Sequence, residues 1–382
     1  MAKIIACPDL HCFWPTYNRP GEDGTPSRLA DWRRSMETIF HAARELDVQA
    51  ILCPGDFFPN SRPSPAQIIE VIAWFAGFEE AGIPVVGCAG NHDLLGPGQP
   101  SPVDVVAMMA PDEQRWGWTK PGVTVLPEAK LSVVVLPSIK VSGLDSDPAA
   151  SAQALAGQLV DIARALCAQV VAEHPDYEIV LMGHWAVSGC RLAAGNSLAA
   201  TEPTLPLGEL QALPVKAVVM GHIHTPQLLS DRPIVLHTGT LERRDFSEEH
   251  NECGFWLIDT TEMRATFCPV PARMFATVEW PAAHVEVMGS VARAVYRATE
   301  EEAKAFDHGA IIKALEDAGA FLVAGVFPEI VRAERARAAG MTERTSPVEA
   351  LEQWLNLQAD ITPETKERVL AAGQKMLEEV IN

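Results

Sequence analysis

Residues 83–93 read IPVVGCAGNHD. Pro84–Cys88 is a short apolar run with the length of a buried strand, and it breaks at once into Gly90-Asn91-His92-Asp93. The same arrangement recurs on both sides. Lys3–Cys7 runs into Pro8-Asp9-Leu10-His11, Ala50–Cys53 into Pro54-Gly55-Asp56, Ile179–Met182 into Gly183-His184, and Val215–Met220 into Gly221-His222-Ile223-His224. Helical spacing fills the gaps. Arg28–Leu46 puts Leu29, Trp32, Met36, Ile39, Phe40 and Ala43 on one face, Ser64-Pro65 caps a helix running to about Ala81, and Asp147–Glu173 is a long Ala-rich amphipathic helix. Further strands are expected at Val123–Leu126, Leu131–Leu136, Pro233–Leu236, Gly254–Ile258 and Ala265–Pro269. This alternation predicts a layered α/β fold. Polar groups that follow strands gather beyond the strand ends, so five segments scattered in sequence can converge on one site.

Composition sets the bounds. The chain of 382 residues is 48% hydrophobic and 21% charged, which excludes wholesale disorder and leaves ample material for a core. Thirty basic against fifty acidic residues give a net charge of −20, so the protein does not coat nucleic acid by bulk positive charge. None of the eight cysteines forms a C-x-x-C pair, and Cys7, Cys53 and Cys88 lie in apolar runs, as buried thiols in a reducing compartment do. The apolar run before Asp9 is too short for a signal peptide, and no stretch is read as a membrane span. A cytoplasmic location without membrane association is expected.

Two carboxylates, an amide and four imidazoles at the strand ends make a mixed nitrogen and oxygen ligand set of the kind that suits divalent Mn, Fe, Zn or Ni. They are too many for one tetrahedral ion and about right for two ions sharing a carboxylate. Two such ions, about 3.5–4 Å apart, can supply a nucleophile and neutralise a phosphoryl transition state. This order, D-x-H, G-D, G-N-H-D, G-H and G-H-x-H over residues 9–224, resembles the calcineurin-like metallophosphoesterases. The resemblance implies a layered β-sandwich flanked by helices. It also implies that Asp9, His11 and His224 hold one ion, that Asn91, His184 and His222 hold the other, and that Asp56 bridges them. A hydroxide between the ions would attack phosphorus, His92 would assist the leaving oxygen, and Asp93 would orient His92 by hydrogen bonding. The other histidines, His41, His174, His237, His250, His284 and His308, are expected to be structural or surface residues.

The segment GHIHTPQLLSDRPIVLHTGTLERRDFSEEHNECGFWLID, residues 221–259, resembles the SbcD-type DNA repair nucleases at Gly239, Arg244, Asp245, Phe246, Glu248 or Glu249, and Gly254-Phe255, as does Val187-Ser188-Gly189. It departs from them at His237-Thr238-Gly239-Thr240 and at Cys253. That branch implies a nuclease domain over 1–270, a small α/β capping domain over 271–340 and a C-terminal helical pair over 341–382. In the cap, Val291–Ala298 reads as a strand, Glu300–Ala318 as one helix and Phe321–Phe327 as a strand; 334–344 reads as a charged linker, and Ser346–Leu355 and Thr362–Val380 as the helical pair. It further implies a DNA exonuclease or endonuclease acting in repair or recombination, with Mn²⁺ favoured over Mg²⁺, Fe²⁺ or Zn²⁺. An SbcC-like ATPase of the SMC family would dock on the helical pair, and the protein would be a homodimer. Arg19 and Arg28 are candidates to touch a phosphate backbone, and basic clusters stand at Arg33-Arg34, Arg243-Arg244 and 332–337. The competing readings are a small-molecule or cyclic-nucleotide phosphodiesterase on the same core, which needs no cap or docking helices, and a non-catalytic scaffold at DNA ends, which needs no complete ligand set.

Overall fold

Alternate residues of the central strands go to opposite cores. Ile4, Ala6, Leu52 and Val86 face one apolar cluster while Ile5, Cys7, Ile51 and Val85 face another, so these strands are buried on both sides. The computed structural model describes residues 2–96, 99–111, 115–139, 148–193, 198–199, 201–282, 286–331, 346–358 and 361–381, the last five of these by backbone alone. In chain order the elements are β1 (Lys3–Ala6), α1 (Ser27–Glu45), β2 (Ala50–Cys53), α2 (Pro65–Glu80), β3 (Val85–Gly87), α3 (Pro102–Met108), β4 (Gly122–Leu126), β5 (Leu131–Leu136) and α4 (Pro148–Glu173). There follow β6 (Glu178–Gly183), β7 (Ala186–Val187), β8 (Thr204–Leu205), α5 (Leu207–Gln211), β9 (Ala217–Met220), β10 (Gln227–Asp231), β11 (Ile234–His237), β12 (Gly254–Asp259) and β13 (Arg264–Pro269). The chain ends with β14 (Phe275–Trp280), β15 (Val291–Ala298), α6 (Glu300–Ala305), α7 (His308–Asp317), β16 (Leu322–Ile330), α8 (Pro347–Leu357) and α9 (Pro363–Ile381).

One sheet has the order β13-β12-β1-β2-β3, with β1, β2 and β3 parallel. The other has the order β10-β11-β9-β6-β5-β4, with β11, β9, β6 and β5 parallel. The sheets face each other across Ile4, Leu52, Val86 and Trp256 on one side and Val133, Val180, Met182 and Val219 on the other. Helices cover both outer faces, giving a four-layer α/β/β/α sandwich. On the first sheet, α1 packs Trp32, Met36 and Ile39, and α2 packs Val71, Phe75 and Phe78. Trp32 also donates its indole N–H to the Leu10 carbonyl at 2.9 Å, which ties α1 to the loop carrying His11. Ser64 and Gln67 form a capping box at the start of α2.

On the second sheet, α4 buries Leu159, Ala163, Cys167 and Val170. By length and composition α4 is long and apolar enough to cross a membrane, contrary to the expectation that no stretch reads as a span. Its many alanines raise the apolar content, but the helix is amphipathic: one face packs on the sheet while Asp161 and Arg164 pair on the other.

The chain forms two compact units, Met1–Ala294 with Gly309–Val326, and Val295–His308 with Phe327–Asn382. In the first, β14 and the adjoining ends of β15 and β16 pack on α7 through Val287, Ala292, Ala294, Ile311 and Leu315. The second carries α6, α8 and α9. The expected single helix over 300–318 is two helices. Phe306 leaves the helix with extended backbone and stacks on Tyr296 at 4.1 Å, while His308 bonds the Tyr296 hydroxyl at 2.8 Å. His284, the basic cluster at 332–337 and the linker at 334–344 lie outside the described residues.

Candidate metal centre

The loops after β1, β2, β3, β6 and β9 are laced together by backbone hydrogen bonds. Asp9 N donates to the Gly239 carbonyl at 2.9 Å, and His11 N donates to the Asp56 carbonyl at 2.8 Å, joining the first loop to the second. Three of the expected ligands have left-handed backbone: His11 at φ 35°, Asp56 at φ 47° and His222 at φ 79°. Such conformations cost non-glycine residues roughly 1–3 kcal/mol each and persist where surrounding structure enforces them, as at functional sites. Two glycines permit the close approach. A Cβ on Gly90 would fall 2.1 Å from Asp56 Oδ1, and one on Gly221 would fall 2.6 Å from Asp9 Oδ1.

Asp9, His11, Asp56 and His224 each offer a ligand atom within 4.8 Å of all the others. His11 Nε2 lies 3.0 Å from His224 Nε2 and 3.6 Å from Asp56 Oδ2, and His224 Nε2 lies 3.7 Å from Asp9 Oδ2. Beside this group, His184 Nε2 is 3.4 Å from Asp56 Oδ2 and 3.0 Å from Asn91 Oδ1, and His222 Nδ1 is 3.1 Å from the same Asn91 oxygen. All seven expected ligands are therefore brought together, with Asp56 between the two groups.

The donor set fits divalent cations. Asp9 Oδ1 is buried and has no hydrogen-bond partner, an arrangement that is costly unless a cation takes the lone pairs. His184 Nδ1 donates to the Pro54 carbonyl at 2.7 Å, so in the neutral ring Nε2 presents a lone pair toward two acceptor oxygens. The electrostatics carry the same demand for positive charge. Burial pushes the Asp9 carboxyl up to about 6, helped by Asp56 and opposed chiefly by His184. Burial also opposes charge on Asp56, yet His184, His11 and His92 hold that carboxyl well below its ordinary value. Burial favours a neutral His184, but Asp56 and Asp9 override it and raise the ring to about 10. Burial takes His11 well below the usual imidazole range.

His92 sits at the edge of this cluster, its ring 5.1 Å from that of His11. Its backbone N–H donates to Asp56 Oδ1 at 2.9 Å, and its Nδ1 bonds the Pro59 carbonyl at 2.8 Å. The expected Asp93–His92 bond is not what the geometry provides. The Asp93 carboxylate accepts from the backbone N–H groups of Gly90, Phe57 and Phe58 at 2.8, 3.2 and 3.0 Å, and the Pro59 carbonyl orients His92 instead. A short Asp side chain just inside a tight turn is best placed to satisfy that turn's own N–H groups. Burial, with the nearby Asp56 charge, pushes Asp93 up to about 8.

Arg28 is also corrected. It is buried in α1, 3.7 Å from Glu242 and donating to the Arg243 carbonyl at 2.6 Å, so it cannot reach a phosphate backbone. Arg243 is likewise buried and donates to the carbonyls of Arg273 and Asn251, Arg33 pairs with Glu70, and Arg34 with Asp31. Arg19 is exposed, its guanidinium 5.5 Å from the centre of the Phe321 ring. His237 is a structural residue, as expected. It is buried, donates from Nδ1 to the Gly221 carbonyl at 3.1 Å, and is pushed down to about 3 by burial.

Two glutamates join the site that ligand motifs alone do not show. Glu248 Oε1 bonds His224 Nδ1 at 2.6 Å, and its other oxygen accepts the Arg244 N–H at 2.8 Å. Of the two candidates at 248 and 249 it is thus the inward one, since Glu249 bonds Thr277. Glu202 bonds His222 Nε2. Nothing in the local sequence marks Glu202, which lies in the loop between β7 and β8.

The family model for calcineurin-like phosphoesterases matches residues 2–226. Short stretches resemble proteins called DNA double-strand break repair protein Mre11: 27% identity over 99 residues with that of Haloferax volcanii and 32% over 91 residues with that of Archaeoglobus fulgidus. These matches cover 26% and 24% of this chain and only 21% and 19% of those relatives. Among solved structures, the protein TT1561 of Thermus thermophilus matches at TM-score 0.38 and 14% identity, covering 70% of this chain and 98% of that one. A dimetal phosphatase from Danio rerio matches at TM-score 0.41 and 12% identity, covering 67% and 91%. Structural likeness at that level is too distant to bear on function. The chain belongs to the calcineurin-like phosphoesterase family. It is a metal-dependent phosphoester hydrolase, and its candidate metal centre is the Asp and His cluster described above.

Proposed function

We propose that this phosphoesterase is a two-metal DNA nuclease of the SbcD type, acting in DNA repair or recombination with an SbcC-like ATPase of the SMC family. The observation that carries the reading is the coincidence of the seven-ligand cluster with local similarity to the archaeal Mre11 proteins. Asp9, His11, His224 and Asp56 would hold one ion, and Asn91, His184, His222 and Asp56 the other, with Mn²⁺ the expected metal. Bound ions supply a nucleophile at neutral pH and offset phosphoryl charge. The protein's part is positioning and proton delivery. His92 is tethered through its backbone N–H to Asp56 and donates from Nδ1 to the Pro59 carbonyl, so in its protonated form it would present Nε2–H to the departing 3′ oxygen and be left as the neutral ring. The segment division at 270 and 340, docking of the ATPase on α8 and α9, a homodimer and a cytoplasmic location belong to the same proposal.

A small-molecule phosphodiesterase is the second reading. It is favoured by the net charge of −20 and by the internal pairing of Arg28, Arg243, Arg33 and Arg34, which engages these four candidate cations within the protein. End-labelled single- and double-stranded DNA, incubated with the full chain in Mn²⁺ or EDTA, separates the two. Mn²⁺-dependent cleavage abolished by EDTA is expected. Absence of DNA cleavage with bis-p-nitrophenyl phosphate hydrolysis retained would transfer the reading to the small-molecule enzyme.

A further inference from the structure

The two imidazoles of the His222-Ile223-His224 segment are each backed by a glutamate, and on opposite ring nitrogens. A carboxylate only accepts hydrogen bonds, so the ring nitrogen facing it carries the proton and the other keeps its lone pair. Glu248 faces His224 Nδ1, which leaves His224 Nε2 bare toward His11 Nε2 at 3.0 Å and Asp9 Oδ2 at 3.7 Å. His11 donates from Nδ1 to the Phe58 carbonyl at 3.2 Å, so its Nε2 is bare too, and two lone pairs converge where a cation belongs. Glu202 faces His222 Nε2, which leaves Nδ1 bare toward Asn91 Oδ1. Three of the four imidazoles in the cluster thus offer Nε2, and His222 alone offers Nδ1.

We propose that Glu202 and Glu248 are positioning residues that lock His222 and His224 in opposite tautomers, and that Glu202 thereby sets the affinity of the ion held by Asn91, His184 and His222. The inference rests on the two-ion reading of the site. The formal charges support it. Asp9 and Asp56 supply −2 against +4 for two divalent ions, and the two glutamates bring the carboxylate total to −4. Backing of a ligand imidazole by a carboxylate raises its basicity and fixes its orientation. The two supports differ in placement. Glu248 is buried beneath the site, whereas the Glu202 side chain is 26% exposed on the β7–β8 loop. Glu202 can therefore be changed without emptying the core.

The test is Mn²⁺ binding to the full chain, followed by titration calorimetry and electron paramagnetic resonance. The native protein should take up two ions and show the signal of an interacting pair. Glu202→Ala should weaken the second ion by about 10–100-fold while leaving the first within about threefold. Glu202→Gln should fall between, because its amide oxygen still accepts the His222 proton but brings no charge. In the diamagnetic Zn²⁺ form, nitrogen–proton NMR correlations should place the His222 proton on Nε2 and the His224 proton on Nδ1. Second-ion affinity unchanged in Glu202→Ala overturns the proposal, as does a His222 proton on Nδ1. Uptake of a single ion by the native chain overturns it together with the two-ion reading. DNA cleavage is not a readout, so failure of the nuclease assignment is separately visible.

Discussion

Asp56→Asn is expected to strip the site of paired metal ions and to lower phosphodiester hydrolysis by more than the roughly 10–100-fold that follows loss of a carboxylate behind a ligand. The substitution is nearly isosteric, so packing is preserved, but one oxygen becomes an N–H donor and the negative charge is lost. Asp56 is the carboxylate that faces both groups, with Oδ2 at 3.6 Å from His11 Nε2 and 3.4 Å from His184 Nε2. It is almost wholly buried, so no water replaces the missing charge. Its Oδ1 also accepts the His92 backbone N–H, so the same change loosens the residue proposed to deliver the proton. Metal content by mass spectrometry of the dialysed protein, beside hydrolysis of bis-p-nitrophenyl phosphate, checks the expectation. Two ions retained by the variant would remove Asp56 from the bridging position.

His92→Ala should separate chemistry from metal binding. General-acid assistance contributes about 10²–10⁴-fold, so turnover should fall by that order while KM for a diester with a poor leaving group changes little. No ligand is lost, because Nδ1 is engaged by Pro59 and the ring stands at the edge of the cluster, so metal content should remain native. A diester with a good leaving group, such as p-nitrophenolate, needs less protonation and should lose less. Equal losses on both substrates would argue against proton delivery by His92.

Much of this site is legible in the sequence because its ligands follow strands that stand out as apolar runs. Ile4 to Cys7, Ile51 to Cys53 and Val85 to Gly87 announce their own ends, and the polar residue after each end has few places to go. The β10 strand is harder to see, since Gln227 and Asp231 break its apolar pattern, and only pairing with β11 makes it a strand. The break between α6 and α7 is marked only by Asp307 and Gly309, and Phe306, which leaves the helix there, stacks on Tyr296, ten residues upstream in sequence. The Asp93 contacts escape a motif reading because the motif suggests a partner next in sequence, whereas the hydrogen bonds close its own turn and the start of the neighbouring loop. Glu202 is beyond reach altogether, because what selects it is the fold that brings residue 202 against residue 222.

The seven proposed ligands are divided between the two sheets of the sandwich. Asp9, His11, Asp56 and Asn91 follow strands of one, and His184, His222 and His224 follow strands of the other. Ions bound there would therefore act as a clasp that closes only after the layers have docked, because an unfolded chain cannot present the same set. A ligand that binds the folded state alone stabilises it by about 2.7 kcal/mol at one hundred times its dissociation constant. Chelation should accordingly lower the unfolding temperature as well as stop hydrolysis, and Asp56→Asn should gain less from Mn²⁺ than the native chain does. For a cell short of its metal, the consequence would be fewer surviving molecules as well as idle ones.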